Sequence, residues 1–327
     1  MLPFEKRKFE ILTKKEEETN SDFGCKPEDR STEKIINYGI VNLDKPSGPS
    51  SHQTSAYVKQ ILKLDKAGHS GTLDPSVTGI LPVALGKGTR ITHSLIKAGK
   101  EYITLMRLHK DVPEEKIRQV MDQFVGEIKQ MVPVRSAVKR RKRQRSIHYL
   151  EIIDIKDREV LYKVGTQAGT YIRKLCHDVG ERIGCGAHMA ELRRTKAGPF
   201  TEENLATLQD LKDAYTVWKE EGNEQLLRKI IFPVEYGVTH LQKIWIRDSA
   251  VNSICTGATL NIPGISKLES DIEEEDSVAV LTLKGELVCT GIARMNASKI
   301  MSSSKGLAVK PHQVIMPPGI YPKFNLR

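Results

Sequence analysis

The sequence has few cysteines and no long apolar run, and both shortages limit what the protein can be. Its 327 residues contain only five cysteines, spread widely along the chain: Cys25, Cys176, Cys185, Cys255 and Cys289. This pattern predicts reduced thiols in an intracellular protein and argues against a disulfide framework. No apolar run approaches the ~18 residues of a membrane-spanning helix, and the first eight residues contain no apolar signal segment. We therefore expect neither a membrane protein nor a secreted one.

Acidic residues are also outnumbered, with 41 aspartates and glutamates against 51 lysines and arginines. The resulting net charge of +10 indicates a polyanionic partner, but charge alone leaves nucleic acid, an anionic membrane and plain solubility open. One short stretch holds seven basic residues and no acidic one: Arg135, Lys139, Arg140, Arg141, Lys142, Arg143 and Arg145. Because we expect regular elements on both sides of this stretch, we favour contacts with RNA or DNA phosphates over a merely solvated loop.

The most informative stretch is 68–82, which reads GHSGTLDPSVTGILP. It concentrates three glycines, two prolines and one carboxylate between apolar residues. Its glycines allow backbone angles that other residues avoid, and Pro75 biases Asp74 towards an extended conformation. Such a turn would hold a single acid in a fixed pose at the end of a strand. The alternative is a tight loop in which Asp74 only accepts hydrogen bonds from backbone amides.

This stretch resembles motif II of the TruB/dyskerin family of pseudouridine synthases, GHxGxLDP followed by GxLP. Later motifs of the family follow in order, with KEY at 100–102, GTYIR at 169–173 and LRR at 192–194, while DKPSG at 44–48 resembles motif I. The resemblance covers nearly everything after residue 35. It implies an enzyme that converts uridine in RNA to pseudouridine, after flipping the base out of the stack. It implies no cofactor, because the reaction is redox-neutral and isomerises one substrate.

The resemblance also implies a role for each site residue. Asp74 would be the catalytic aspartate, and Arg173, in the first turn of a helix, would hold it through a guanidinium fork. Tyr102 would complete the catalytic set by stacking on the flipped base with its hydroxyl near the base edge. For Arg173 the alternative is a surface salt bridge, and for Tyr102 it is a place in the core. The substrate-binding residues implied are His69, Tyr171, Leu192, Lys139 and Arg140, and motif I would be structural.

A zinc site is the main competing interpretation of Cys176, Cys185 and His188. Cys176, however, belongs to a stripe spaced at three, four and seven residues, and this spacing predicts the buried face of a helix. The stripe contains Ile172, Leu175, Cys176, Val179 and Ile183. The sequence has no Cys-x2-Cys pair and no evident fourth ligand, so we expect no metal.

The chain length predicts two domains and an extension. A change from mostly helical sequence to short β-like runs separated by glycine and proline predicts the boundary between the two domains. We expect an N-terminal arm at 1–34, a catalytic domain at 35–240 and a PUA domain, a small RNA-binding β-barrel, at 241–327. GATLNIPGI at 257–265 resembles the PUA signature. The alternative for the arm is disorder, but in archaeal dyskerin-like proteins the corresponding arm packs on the C-terminal domain, so we expect partial order. The fold implied is α+β, with a mixed, mainly antiparallel sheet flanked by helices, and the acidic stretch 269–276 should be a solvated loop.

Peripheral features resemble the archaeal dyskerin-like members that work in H/ACA particles. These features are the short basic loop, the extended segment 192–198 and the absence of the lysine-rich tail of eukaryotic dyskerins. The partners implied are an H/ACA guide RNA, a substrate rRNA or tRNA and small accessory proteins, in the archaeal cytoplasm or, in a eukaryote, the nucleolus. Two alternatives stay open, a stand-alone tRNA T-loop synthase and a non-catalytic RNA-binding scaffold. Loss of Asp74 or Arg173 would have indicated the scaffold.

Overall fold

The computed structural model describes residues 1–132 and 141–323 of the chain. The strands are β1 (Ile11–Thr13), β2 (Gly39–Lys45), β3 (Ala67–His69), β4 (Thr78–Leu85), β5 (Lys100–Leu108), β6 (Gly126–Met131), β7 (Lys142–Lys156), β8 (Glu159–Thr166), β9 (Ala187–Ala197), β10 (Ile231–Pro233), β11 (Gln242–Ile246), β12 (Leu260–Asn261), β13 (Ile265–Glu269), β14 (Ser277–Thr282), β15 (Leu287–Ala293) and β16 (Leu307–Val314). The helices are α1 (Thr32–Asn37), α2 (Ser51–Ile61), α3 (Thr92–Lys97), α4 (Glu114–Asp122), α5 (Ile172–Ile183), α6 (Leu208–Glu221), α7 (Gln225–Ile230), α8 (Asp248–Cys255) and α9 (Ala297–Ser302).

The larger sheet is mixed and mainly antiparallel. Within the described residues it has nine strands, ordered β10-β2-β4-β9-β5-β8-β7-β6, with β3 paired to β4. Only the short β4–β9 contact among these pairs is parallel. Helices cover the sheet, so that α4 and α5 share one apolar core with β5, β7 and β8, while α2, α6 and α7 share another with β2 and β4. The predicted α+β class is confirmed.

Helix α5 follows the predicted apolar stripe. All five residues of that stripe, Cys176 included, are buried. Gly184 ends the helix in the left-handed conformation at φ +88°, which glycine adopts without a steric penalty. Burial raises the pKa of the Cys176 thiol to about 11, so this thiol is a core side chain and not a reactive one.

Strand β9 was not predicted, and the LRR motif lies in it. Charged residues such as Glu191, Arg193 and Lys196 interrupt the alternation of apolar and polar residues that is typical of a half-buried strand. The strand instead gains its conformation from pairing along its length with β5. Helix α4 ends at Asp122 and leaves Val125 exposed. Thr89 lies inside a 3-10 turn (Gly86–Ile91).

A second, seven-stranded sheet forms the C-terminal part of the described chain, in the order β1-β13-β11-β14-β15-β16-β12. The amino-terminal segment is folded and supplies β1, which pairs with β13. Lys14 extends this contact by donating from Nζ to the carbonyls of Met301 (2.7 Å) and Ser303 (2.8 Å). The two sheets meet in one apolar cluster that joins β2 and β4 to β14 and β15.

The expectation of a solvated acidic loop at 269–276 was wrong for its first residue. Glu269 ends β13 and is 1% exposed. Arg7 and Lys243 both form ion pairs with its carboxylate, and this pairing is what makes the burial of a charge tolerable. Among the described residues, no helix combines the length and the apolar character needed to cross a membrane.

Candidate active site

Asp74 lies at the tip of the loop that joins β3 to β4. The carbonyl of Asp74 accepts a hydrogen bond from the amide of Val77 (3.0 Å), which closes a tight turn around Pro75. The loop begins with the amide of Ser70 bound to the carbonyl of Pro82 (3.0 Å). Gly71 follows at φ +134°, in the region that favours glycine. The sequence signals for a fixed turn are therefore realised.

Two buried residues outside this loop hold it from below. Ser51, at the start of α2, donates from Oγ to the carbonyl of Leu73 (3.0 Å) and accepts from the amide of Leu73 (2.8 Å). Lys45, fully buried at the end of β2, donates from Nζ to the carbonyls of Pro46 (2.9 Å), Pro75 (3.0 Å) and Val77 (2.9 Å). Burial lowers the pKa of Lys45, and the nearby negative charge of Asp74 opposes that change. Motif I thus supports the Asp74 loop directly.

Arg173 and Asp74 contact each other, as the resemblance implies. Arg173 lies in the first turn of α5 and donates from Nη2 to Oδ2 of Asp74. Both side chains are exposed, at 58% for Arg173 and 51% for Asp74. An exposed pair of this kind contributes less than about 1 kcal/mol to stability, so the contact mainly fixes where the two groups lie.

The start of α5 is itself clamped by Gln130, which sequence reasoning missed. The side-chain amide of Gln130, buried in β6, accepts from the amide of Tyr171 (3.0 Å) and donates to the carbonyl of Tyr171 (3.2 Å). Both hydrogen bonds are to the backbone of Tyr171, immediately before α5. Arg173 lies in the first turn of this helix. A buried glutamine in a strand carries no pattern that could have indicated this clamp.

Tyr102 and Leu192 lie on the neighbouring strands β5 and β9. Both are half-buried and pack against the core shared by α4 and α5. Tyr102 faces Arg194 across the strand pair. Arg194 is buried and donates from Nε to the carbonyl of Ile80 (2.7 Å) and from Nη2 to the carbonyl of Gly71 (3.2 Å). Its side chain also interacts with that of Tyr102, its cross-strand neighbour, so one arginine lies against both Tyr102 and the Asp74 loop.

His69 is a neutral, partly buried histidine at the entry to the loop. Burial lowers its pKa to about 4, and the nearby side chains of His52 and Arg194 add to this effect. Its Nδ1 accepts from the amide of Gly71 (3.4 Å), and its ring meets that of His52 edge-on at 4.9 Å. Its buried Nε2 has no hydrogen-bond partner within residues 1–132 and 141–323. This nitrogen therefore carries the proton and can donate it.

Lys139 and Arg140 lie outside the described residues. The end of the same basic stretch is the start of β7, where Lys142, Arg143 and Arg145 extend into the strand. The guanidinium of Arg145 lies beside Gly169, in the turn before α5. In the described part of the chain, no group of three or more histidine, cysteine, aspartate or glutamate side chains is arranged to hold a metal.

Comparisons with known families cover nearly the whole chain. The model of the TruB family pseudouridylate synthase N-terminal domain matches residues 59–172, and that of the tRNA pseudouridylate synthase B C-terminal domain matches 173–239. The PUA domain model matches residues 242–315, which confirms the predicted PUA domain. The DKCLD (NUC011) domain model matches residues 1–55.

Relatives and solved structures agree with these matches. The probable tRNA pseudouridine synthase B of Methanopyrus kandleri is 54% identical over 98% of this chain and 95% of its own length. The corresponding protein of Pyrococcus furiosus is 54% identical over 97% of this chain and 94% of its own.

A chain in the crystal structure of a Cbf5-Nop10-Gar1 complex superposes with a TM-score of 0.95 at 54% identity, over 99% of both chains. A chain in an H/ACA ribonucleoprotein bound to a substrate RNA containing 2'-deoxyuridine gives a TM-score of 0.92 at 51% identity, again over 99% of both. On this evidence the protein belongs to the TruB family and is a pseudouridine synthase.

Proposed function

We propose that this protein is the catalytic subunit of an RNA-guided particle, in which an H/ACA guide RNA selects the uridine to be isomerised. The observation that carries the proposal is the superposition, over 99% of both chains, on a chain of an H/ACA ribonucleoprotein bound to a substrate RNA. That likeness includes the folded N-terminal segment and the C-terminal sheet as well as the catalytic sheet. The net charge of +10 suits a large RNA partner.

The same proposal assigns the domains and their partners. The arm at 1–34 packs on the PUA domain at 241–327, and the catalytic domain lies between them at 35–240. The PUA domain binds the ACA end of the guide RNA, and small accessory proteins complete the particle. The protein acts in the cytoplasm of an archaeal cell, since relatives that match nearly its whole length are archaeal.

The site residues take the following roles in this proposal. Asp74 acts as the nucleophile or as the base at the sugar, while the bond from the sugar to nitrogen breaks and a bond to carbon forms. The carbon gives up its proton and the nitrogen gains one, so the isomerisation is balanced without a cofactor. Arg173 orients the Asp74 carboxylate, and Tyr102 stacks on the flipped base and places its hydroxyl near the base edge.

Binding of the RNA completes this site. Asp74 and Arg173 are half exposed in the free protein, so a bound uridine would displace water from both and strengthen their interaction. Leu192 and Tyr171 line the pocket for the base. His69 holds the flipped-out RNA conformation, for which its Nε2 proton is a suitable donor. Lys139 and Arg140 contact RNA phosphates, and neutralising both should flatten the salt dependence of RNA binding.

Guide dependence is the decisive test. The purified chain alone should act slowly or on few RNAs, and adding an H/ACA guide with accessory proteins should direct product to the uridine that the guide leaves unpaired. Moving the guide's pairing arms should move the product site with them, as mapped by mass spectrometry or carbodiimide treatment. A product site that ignores the guide sequence would overturn the guided assignment.

The second candidate is a stand-alone tRNA synthase. It is favoured by the name of the relatives, which at 52–54% identity are called probable tRNA pseudouridine synthase B. Efficient formation of pseudouridine in a tRNA T-loop by the chain alone, without any guide, would establish it. A non-catalytic scaffold is disfavoured because Asp74 and Arg173 are both present and in contact.

A further inference from the structure

The burial of the positively charged Arg194 side chain is not explained by a contribution to the stability of the fold. It is 1% exposed, and within residues 1–132 and 141–323 no carboxylate forms an ion pair with it. Moving a charge out of water without a counter-charge is unfavourable, and an apolar residue of similar volume is usually tolerated at least as well. Burial lowers the pKa of Arg194, but a guanidinium loses its proton at such high pH that the group stays charged.

The guanidinium connects three separate elements. Its hydrogen bond to Ile80 reaches β4, and its hydrogen bond to Gly71 reaches the catalytic loop three residues before Asp74. On β5 its side chain interacts with that of Tyr102, its cross-strand neighbour. A planar fork with five N–H groups can donate in three directions at once, whereas a lysine ammonium cannot match this geometry. Gly79 keeps β4 close to this point, since a Cβ there would lie 2.3 Å from the carbonyl oxygen of Arg194.

A hydrogen bond between the guanidinium of Arg194 and the hydroxyl of Tyr102 can have only one direction. Arginine has donors and no acceptor, so the hydroxyl oxygen of Tyr102 must accept. The single hydroxyl proton of Tyr102 then points away from Arg194.

We propose that Arg194 is a positioning residue for the pseudouridine synthase reaction, which holds the Tyr102 hydroxyl and the Asp74 loop in one fixed arrangement. The proposal rests on the function assigned above, since it concerns the same site. Arg194 itself does not touch the substrate. Its effect should therefore appear in the rate of the chemical step and depend on the presence of the Tyr102 hydroxyl.

A double-mutant cycle tests this dependence in the assembled particle under single-turnover conditions with saturating RNA. Arg194→Met should slow product formation at least tenfold, while RNA affinity stays within threefold. Arg194→Lys should recover part of the rate, because the charge returns without the fork. In a Tyr102→Phe background, Arg194→Met should cost less than threefold more. A wild-type rate for Arg194→Met, or the same fold loss in both backgrounds, would overturn the proposal.

Nuclear magnetic resonance of tyrosine labelled with ¹³C at Cζ gives a readout that needs no activity. Tyr102→Phe assigns the resonance, Arg194→Met should shift it, and Arg194→Lys should shift it less. Arg193→Met is the matched control, since Arg193 pairs with Asp44 and Glu202 instead, and it should leave the resonance unchanged. An unshifted Tyr102 resonance in Arg194→Met refutes the proposal even if Tyr102→Phe is too slow to assay. If Arg194→Met does not fold, the same comparison is made with Arg194→Lys. A wild-type particle that makes no pseudouridine would instead refute the proposed function.

Discussion

Replacing Lys45 with methionine should damage both stability and catalysis, although Lys45 touches no substrate. The substitution keeps the length of the apolar stem and removes the ammonium that binds the carbonyls of Pro46, Pro75 and Val77. Two of these carbonyls, those of Pro75 and Val77, lie one and three residues after Asp74, so their release frees the carboxylate to move. The third ties motif I to the same loop.

The magnitude follows from the bonds lost and the charge removed. Hydrogen bonds to a charged group contribute roughly 1.5–3 kcal/mol each. Removing a buried ammonium also removes a desolvation cost of several kcal/mol, which offsets part of that loss. We expect a net destabilisation of about 2–4 kcal/mol, which for a domain of this size lowers Tm by roughly 5–15 °C. A displacement of Asp74 by about 1 Å should slow turnover on the order of 100-fold.

Thermal unfolding and single-turnover pseudouridine formation measure the two effects separately. Lys66→Met is the matched control, because Lys66 is exposed in the connection from α2 to β3, and it should change Tm by no more than about 2 °C. Turnover below the unfolding temperature should still be slow for Lys45→Met. Unchanged Tm together with wild-type turnover would show that the three bonds do not hold the loop.

The other predictions concern the exposed pair and the buried histidine. Asp74→Asn should abolish product while RNA binds at similar strength, and product near the wild-type level would remove Asp74 from its role. Arg173→Ala should change the free energy of unfolding by less than about 1 kcal/mol but reduce turnover at least tenfold, and equal turnover on bound RNA would contradict this. His69 should titrate near pH 4 by nuclear magnetic resonance, and a midpoint near 6.5 would contradict its burial. Because the pKa of His69 is lower in the folded protein, the unfolded chain binds more protons between pH 4 and 6.5. The free energy of unfolding should therefore fall as the pH drops through this range, and it should fall less steeply in His69→Gln.

Patterns in the sequence predicted those elements in which local composition and packing agree. The stripe through Cys176 predicted the buried face of α5, and the glycines and Pro75 predicted the fixed turn around Asp74. Strand β9 could not be predicted this way, because its residues alternate between charge and apolar character without a regular period and its partner β5 lies far away in sequence. The burial of Glu269 was not predicted for a similar reason, since its ion-pair partner Arg7 lies near the other end of the chain.

In the active site, too, some residues could be predicted from the sequence and others could not. The motifs indicated the Asp74 loop and its contact with Arg173, and the structure places these two side chains together. The residues that support them, Lys45, Gln130 and Arg194, act on backbone carbonyls and amides of distant segments. A contact of that kind leaves no periodicity and needs no particular residue type at the other end. Sequence reasoning therefore finds the groups that do chemistry more readily than the groups that hold them.

The supports and the reactive pair differ in their exposure to water, and this difference suits a substrate that completes the site. Lys45 and Arg194 are buried below the Asp74 loop and bind its carbonyls, so the backbone is fixed before RNA arrives. Asp74 and Arg173 remain half exposed above it, where water weakens their attraction. A flipped uridine that displaces this water would strengthen the pair without moving the loop. The loop backbone is therefore ordered when the protein folds, whereas the attraction between Asp74 and Arg173 becomes stronger only when the substrate binds.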